Sequence, residues 1–252
     1  MKEPPIMYDN EFVVKSPETL NAYNNEFITY TKQKINEYKG LFDIESFDKL
    51  EFIIFDSLDE YRNNYREKFG EEPPSYSRGN FSGNTVRMVV EENPLPGSEV
   101  FYHKRATGAH EAFHIFYRDL IYKNYQNRIV WFDEGMAQFV SGQKEHLSDD
   151  EFAKYYQSFR KNYKPINNLN ERIQGNTRVP DDKIFRRKGI INGYAISYLA
   201  IRYLAETKGK EYLKEIMRDN NKILELGNTI QEKMISYFDE KTKPEERGFL
   251  DN

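Results

Sequence analysis

The sequence predicts an α+β protein with its strands in the N-terminal half and a mainly helical C-terminal half. Two segments carry the strand prediction. KLEFIIFD (49–56) is apolar and rich in β-formers, and TVRMVV (85–90) alternates polar and apolar residues. From about residue 104 the pattern becomes helical, over 104–122, 130–143, 149–161, 192–207, 209–219 and 227–240. We therefore expect an N-terminal helical segment over 1–45, an α+β region over 46–129 and a helical region over 130–252.

The elements before the second strand are predicted from their capping and turn residues. A first helix begins at Ser16 and Pro17, which suit an N-cap and a first turn, and closes at Gly40. A second helix, SLDEYRNNYREKFG, ends at Gly70. The segment EEPPSYSRGNFSGN (71–84) that follows consists of turn residues throughout.

Composition excludes several classes of protein. The chain has 252 residues, of which 38% are hydrophobic and 15% aromatic, enough for one large domain or two small ones. Net charge is −4 with scattered Lys and Arg, so no nucleic-acid partner is expected. No apolar run is long enough to span a membrane. Without cysteine there are no disulfides. The compartment stays open: secreted or cell-surface bacterial if a leader was trimmed, otherwise cytoplasmic.

The segment GAHEAFHIFY (108–117) contains two of the four histidines. On a helix, His110 and His114 point from one face and could present two imidazoles to one ion. Glu111 lies about 100° around the helix, where a carboxylate reaches a metal-bound water without binding the metal. This is the H-E-x-x-H pattern of zinc peptidases. The alternative is two core histidines and a surface glutamate in chance register.

A catalytic zinc needs a third protein ligand and one open position. The metzincin pattern would require glycine and histidine where the chain has Tyr117 and Leu120. The other common solution is a glutamate on a following helix, and VWFDEGMAQFVSG (130–142) supplies Glu134. Gly135 would permit close helix approach at the metal. The alternative for Glu134 is an exposed carboxylate stabilised by the helix dipole.

Taken together, His110-Glu111-Ala112-Phe113-His114 and Trp131-Phe132-Asp133-Glu134-Gly135-Met136-Ala137 resemble the gluzincin metallopeptidases. The likeness is to the peptidase-MA-like group, related to thermolysin and aminopeptidase N catalytic domains, and covers about residues 50–210. It implies a zincin-like fold, with a small mixed sheet packed on the active-site helix. It also implies one zinc ion per chain, held by His110, His114 and Glu134. The activity implied is hydrolysis of a peptide or protein by a metal-activated water, with Glu111 as general base.

The resemblance also implies a donor to the tetrahedral oxyanion. Tyr194, in INGYAISYLAIRYLAETKG (191–209), resembles the oxyanion tyrosine of aminopeptidase-like gluzincins. Tyr198 is the competing candidate, and a core stripe of Tyr194, Tyr198 and Tyr203 would explain all three. His146, the only histidine after Glu134, is expected in a polar surface loop.

Peptidases of this kind hold extended substrate against a sheet edge. The strand at 85–90 is the candidate edge, or else an ordinary interior strand, and SRGNFSGN before it could form a lid. The Gly-x-Met-Glu-Asn anchor of aminopeptidases is missing, which favours an endopeptidase. Gln138 stands where thermolysin-like enzymes have an orienting Asp, so Asp133 or backbone carbonyls would orient the ligands instead.

Two further features have ordinary interpretations. His103 is expected to be a solvated turn histidine rather than a second metal ligand, and KIFRRKG (183–189) a solvated charged face. The alternative function is a catalytically silent zinc-fold binding or regulatory module. The presence of Glu111 favours the peptidase.

Overall fold

The computed structural model describes residues 6–8, 11–75, 77–90, 98–124, 127–163, 168–170 and 193–243. Within these ranges the protein is a mixed α+β structure, mostly helical with one small sheet, which confirms the predicted class. None of the described helices is long and apolar enough to cross a membrane.

The sheet has five strands in the order β1-β2-β3-β5-β4. They are β1 (Ile6–Tyr8), β2 (Phe12–Lys15), β3 (Leu50–Phe55), β4 (Gly79–Ser82) and β5 (Thr85–Val89). The three central strands β2, β3 and β5 are parallel, and β1 and β4 pair antiparallel at the two edges. The prediction included only β3 and β5, because the other three strands are too short to show a clear alternation.

Of the two interpretations of 85–90, the edge strand is wrong and the interior strand is confirmed, because β5 lies between β3 and β4. The edge strand next to β5 is β4, which lies within the segment predicted to be a lid. A two-residue turn at Gly83 and Asn84 joins β4 to β5, and the positive φ of Gly83 (54°) suits that turn.

Helix α1 (Asn21–Phe42) starts later and ends later than predicted. A 3-10 turn, Glu18–Leu20, precedes it, and the helix runs through Gly40 to a left-handed residue, Asp43. Continuing past Gly40 buries the Phe42 side chain, which is 4% exposed. Helix α2 (Leu58–Phe69) matches its prediction, with Ser57 as N-cap and Gly70 as C-cap.

Helix α3 (Glu99–Tyr117) is the helix on which both α1 and the sheet pack. It begins before the predicted boundary because the Ser98 side chain caps it by accepting from Phe101 N. It continues as a short π-helix, Arg118–Tyr122. Both α1 and the sheet pack on α3 at Gly108, where an added Cβ would lie 2.3 Å from the Phe27 ring and 3.4 Å from Met88 Sδ. The predicted packing of sheet on helix is therefore present.

The remaining described helices are α4 (Val130–Val140), α5 (Asp149–Asn162), α6 (Gly193–Lys208), α7 (Lys210–Ile216) and α8 (Asn220–Lys241). They confirm the helical C-terminal half. A complete capping box between Ser148 and Glu151 starts α5. Helix α8 begins earlier than predicted because Asp219 caps it, accepting from Lys222 N.

The chain divides into two compact units. The first unit comprises Met1–Arg128 and Ala137–His146. Its core includes an aromatic cluster in which the rings of α1 pack on those of α3, namely Tyr38 and Phe42 on Phe113 and Phe116. The other comprises Ile129–Met136 and Leu147–Asn252; in its core the Phe152 ring of α5 lies 5.4 Å from the Phe238 ring of α8.

Candidate metal centre

Helix α3 carries the two histidines on one face, as their spacing predicts. Both are buried, with His110 7% and His114 3% exposed, and the buried Ala112 and Phe113 lie between them in the sequence. Their Nε2 atoms lie 3.1 Å apart, and the two rings are nearly perpendicular. The helix therefore aims two imidazole nitrogens at a common point.

That separation fits two ligands of one ion. Two nitrogens bound tetrahedrally at about 2.0–2.1 Å lie roughly 3.3–3.4 Å apart, close to the separation in α3. Imidazole Nε2 is also one of the commonest nitrogen ligands for divalent transition metals. The geometry and the donor chemistry of the pair are therefore both compatible with chelation.

Glu134 on α4 completes the group. His110, His114 and Glu134 each offer one ligand atom, and these atoms all lie within 4.8 Å of one another. In the described part of the chain they form the one cluster of three such residues able to hold a metal ion. Two imidazole nitrogens and one carboxylate oxygen are a donor set that zinc accepts in catalytic sites.

The residues around Glu134 pack the first part of α4 on α6, and both belong to the second unit. A Cβ added at Gly135 would lie 2.5 Å from the backbone oxygen of Ser197 and 2.7 Å from Cγ1 of Ile201, both on α6. The close helix approach that the structure shows at Gly135 is to α6, and the predicted approach at the metal stays a prediction. Trp131, one turn before, donates from Nε1 to Oδ1 of the buried Asn170 at 2.9 Å.

Two polar neighbours of Glu134 on α4 are also buried. Asp133 is fully buried and Gln138 is 4% exposed. Buried carboxylates are retained where hydrogen bonds or charges compensate them. Their predicted part in orienting the ligands stays a prediction.

Glu111 is half-buried and faces the edge strand. A Cβ added at Gly79, the first residue of β4, would lie 3.3 Å from Oε1 of Glu111. Sequence analysis did not find this neighbour because the segment around Gly79 is dominated by turn residues.

The negative charge of Glu111 also affects the pKa of Tyr61, which lies on α2. Burial raises the pKa of Tyr61 to about 12, the hydrogen bond to Ser77 acts against this, and the Glu111 carboxylate adds to the rise. The Tyr61 hydroxyl shares a 2.6 Å hydrogen bond with Ser77 Oγ, which lies 3.1 Å from the carbonyl oxygen of Gly79. A neutral tyrosine and a serine thus fix the start of β4 where it meets Glu111.

Phe81, two residues along β4, is a second neighbour that sequence analysis missed. Its ring stacks on the His114 imidazole, with centroids 5.7 Å apart and planes 24° apart. The period-2 pattern of a strand could have paired it with Gly79, had the segment been predicted as a strand.

The two tyrosines proposed for the oxyanion differ in environment. Tyr194, near the start of α6, is 43% exposed. Tyr198 is 4% exposed; its hydroxyl accepts from Arg202 at 3.5 Å, and its ring packs on Tyr155. The core interpretation thus applies to Tyr198 and not to Tyr194. The catalytic role of Tyr194 stays a prediction.

The remaining candidates lie elsewhere. His103 is exposed, but it lies on α3 two turns before His110, so its placement in a turn was wrong. His146 lies in the turn after α4, where its ring stacks on Tyr102 with centroids 5.2 Å apart. The basic run at 183–189 lies outside the described residues.

Comparison with known proteins adds little to this site. No family model and no curated protein matches the chain. A crystal structure of an aminopeptidase N family protein from Idiomarina loihiensis is similar over 92% of this chain, with 12% sequence identity and a TM-score of 0.44. The chain spans only 43% of that protein. Because this likeness is so distant, the function proposed below rests on the site itself.

Proposed function

We propose that the chain is a zinc-dependent peptidase of gluzincin type, built on a zincin-like fold and acting as an endopeptidase rather than an aminopeptidase. One observation carries this proposal. The Nε2 atoms of His110 and His114 lie 3.1 Å apart, and a ring nitrogen of each histidine lies within 4.8 Å of a Glu134 carboxylate oxygen. Glu111 directly follows His110 on the same helix.

His110, His114 and Glu134 would hold the zinc ion. When bound by three protein ligands, zinc supplies Lewis acidity, which lowers the pKa of water towards about 7 and polarises a carbonyl group. The burial of both histidines supports this role, because it excludes competing water from the ligand nitrogens.

Glu111 would move the proton. Its carboxylate takes a proton from the attacking water and delivers it to the nitrogen of the leaving amine, so one carboxylate serves as base and then as acid. Its place beside Gly79 supports this role, because a glycine brings no side chain of its own up to the carboxylate.

Tyr194 would donate a hydrogen bond to the oxyanion that develops on the substrate carbonyl. Its 43% exposure leaves the side chain accessible to a substrate, whereas the hydroxyl of Tyr198 is buried beside Arg202. Strand β4 would receive the extended substrate, since it is an edge of the described sheet.

The test is cleavage of a proteome-derived peptide library by the zinc-loaded protein and by Glu111→Gln. We expect the variant to keep its zinc and to lose at least about 100-fold in turnover, the usual contribution of a general base. Glu67→Gln, at an exposed position on α2, is the matched control and should cleave normally.

Two results would contradict the proposal. Full hydrolysis by Glu111→Gln would exclude the carboxylate as base. Zinc bound by the wild-type protein without cleavage of any peptide would instead identify a binding or regulatory module.

A further inference from the structure

Strand β4 turns one face towards α3. Residues two apart on a strand point the same way. Gly79 lies against Glu111, and Phe81 stacks on His114. The strand therefore contacts two of the proposed site residues from a single face.

The orientation of a histidine ring is not fixed by the helix that carries it. The torsion that turns an imidazole about its Cβ–Cγ bond has a broad energy profile, so its plane is set by neighbours. The Phe81 ring is such a neighbour of His114. The two ring planes are 24° apart and the ring centroids are 5.7 Å apart.

Phe81 is itself fixed by Arg118, at the end of α3. The Arg118 guanidinium carbon lies 5.6 Å from the centre of the Phe81 ring, and Nη1 donates to the Gly83 carbonyl oxygen at 3.1 Å. Asp119 holds the same guanidinium, accepting from Nη2 at 2.8 Å. The β4–β5 turn is thereby tied to the helix that carries both histidines.

We propose that Phe81, fixed by Arg118, is a positioning residue for His114: its ring holds the imidazole plane so that Nε2 faces His110. The inference rests on the proposed metal site. It assigns a function to a segment that the sequence predicted to be a lid.

Metal affinity measures this role directly. The probe is Co²⁺, titrated into the metal-free protein against a competing chelator, with the absorption spectrum reporting coordination. Phe81→Leu keeps an apolar side chain but has no ring, and we expect it to bind Co²⁺ about 10–100-fold more weakly, as when groups that orient a ligand are removed. Phe81→Tyr keeps the ring and should stay within a few-fold of wild type.

A second measurement needs no metal. In the metal-free protein, the ring protons of His114 should show an upfield NMR shift from the Phe81 ring, and Phe81→Leu should abolish it. Urea unfolding of the metal-free variants, with Phe69→Ala on α2 as a control at an exposed aromatic residue, separates loss of affinity from loss of fold.

The outcomes separate this inference from the proposed function. Co²⁺ affinity of Phe81→Leu equal to that of Phe81→Tyr, or an unshifted His114 in the wild type, would overturn the positioning role while leaving the metal site intact. A metal-binding wild type with the expected variant pattern but no peptidase activity would support the positioning role and contradict only the peptidase.

Discussion

At the scale of single residues, the environment of Tyr61 shows how the fold surrounds the proposed base. Its side chain is fully buried, and its hydroxyl is bonded to Ser77 Oγ at 2.6 Å. Burial is the main cause that raises its pKa to about 12, and the negative charge of Glu111 adds to the rise. Tyr61 is therefore a neutral group, and ionising it would place a second negative charge near Glu111.

This predicts a pH dependence of stability. In the unfolded chain Tyr61 has its ordinary pKa of about 10, so the folded state holds this proton more tightly. The stability contribution is complete below pH 10 and is lost as the pH rises towards 12. We expect the unfolding free energy of the metal-free protein, measured by urea between pH 9 and 11.5, to fall less steeply in Tyr61→Phe. Equal slopes for the two proteins would contradict the assignment.

Some residues of the site could be predicted from the sequence and others could not. The pairing of His110 and His114 is local, since the helical repeat places residues four apart on one face. Gly79 and Phe81 become neighbours of α3 only because β4 pairs with β5 and lies against the helix. No periodicity within 71–84 encodes that pairing, so these two residues could not be predicted.

At the scale of elements, strand β5 shows the limit of pattern reading. Arg87, the polar residue in the middle of TVRMV, is only 5% exposed. It donates from Nε to Asn64 Oδ1 of α2 at 3.2 Å and from Nη1 to Ser82 Oγ of β4 at 3.0 Å. The polar/apolar alternation of a strand is the same whether its arginine is exposed or is buried with hydrogen-bond partners. The sequence therefore predicted the strand but left open whether it lies at the edge or in the interior of the sheet.

The close approach of α4 and α6 predicts a different outcome for two helical glycines. Gly135→Ala would force its Cβ to 2.5 Å from the Ser197 backbone oxygen, which cannot move aside like a flexible side chain. We expect a loss of about 1–3 kcal/mol in unfolding free energy, typical of overpacking, and weaker zinc binding because the neighbouring Glu134 shifts.

The matched control is Gly40→Ala on α1, where an added Cβ would meet nothing within 4 Å. Because alanine is the better helix former, this variant should be more stable by up to about 1 kcal/mol. Urea unfolding of both variants, with a zinc titration of each, makes the comparison. An unchanged stability of Gly135→Ala would mean that the helices separate at little cost.

At the scale of the whole molecule, helices were easier to predict than strands. Helical hydrogen bonds are local, so the segments between α4 and α8 could be read from periodicity with errors only at their ends. Strand partners lie far apart in sequence. The parallel pairing of β2 with β3 joins residues around 12–15 to those around 50–53, and nothing in either segment specifies the other.

The central claim is that His110, His114 and Glu134 bind one divalent cation. The most direct test is the zinc content per chain after zinc loading and removal of free metal. We expect one zinc ion in the wild type and in His103→Ala, an exposed histidine on the same helix, and little or none in His110→Ala or Glu134→Gln. A wild-type protein without bound zinc, or a His110→Ala variant that retains a full equivalent, would contradict the account.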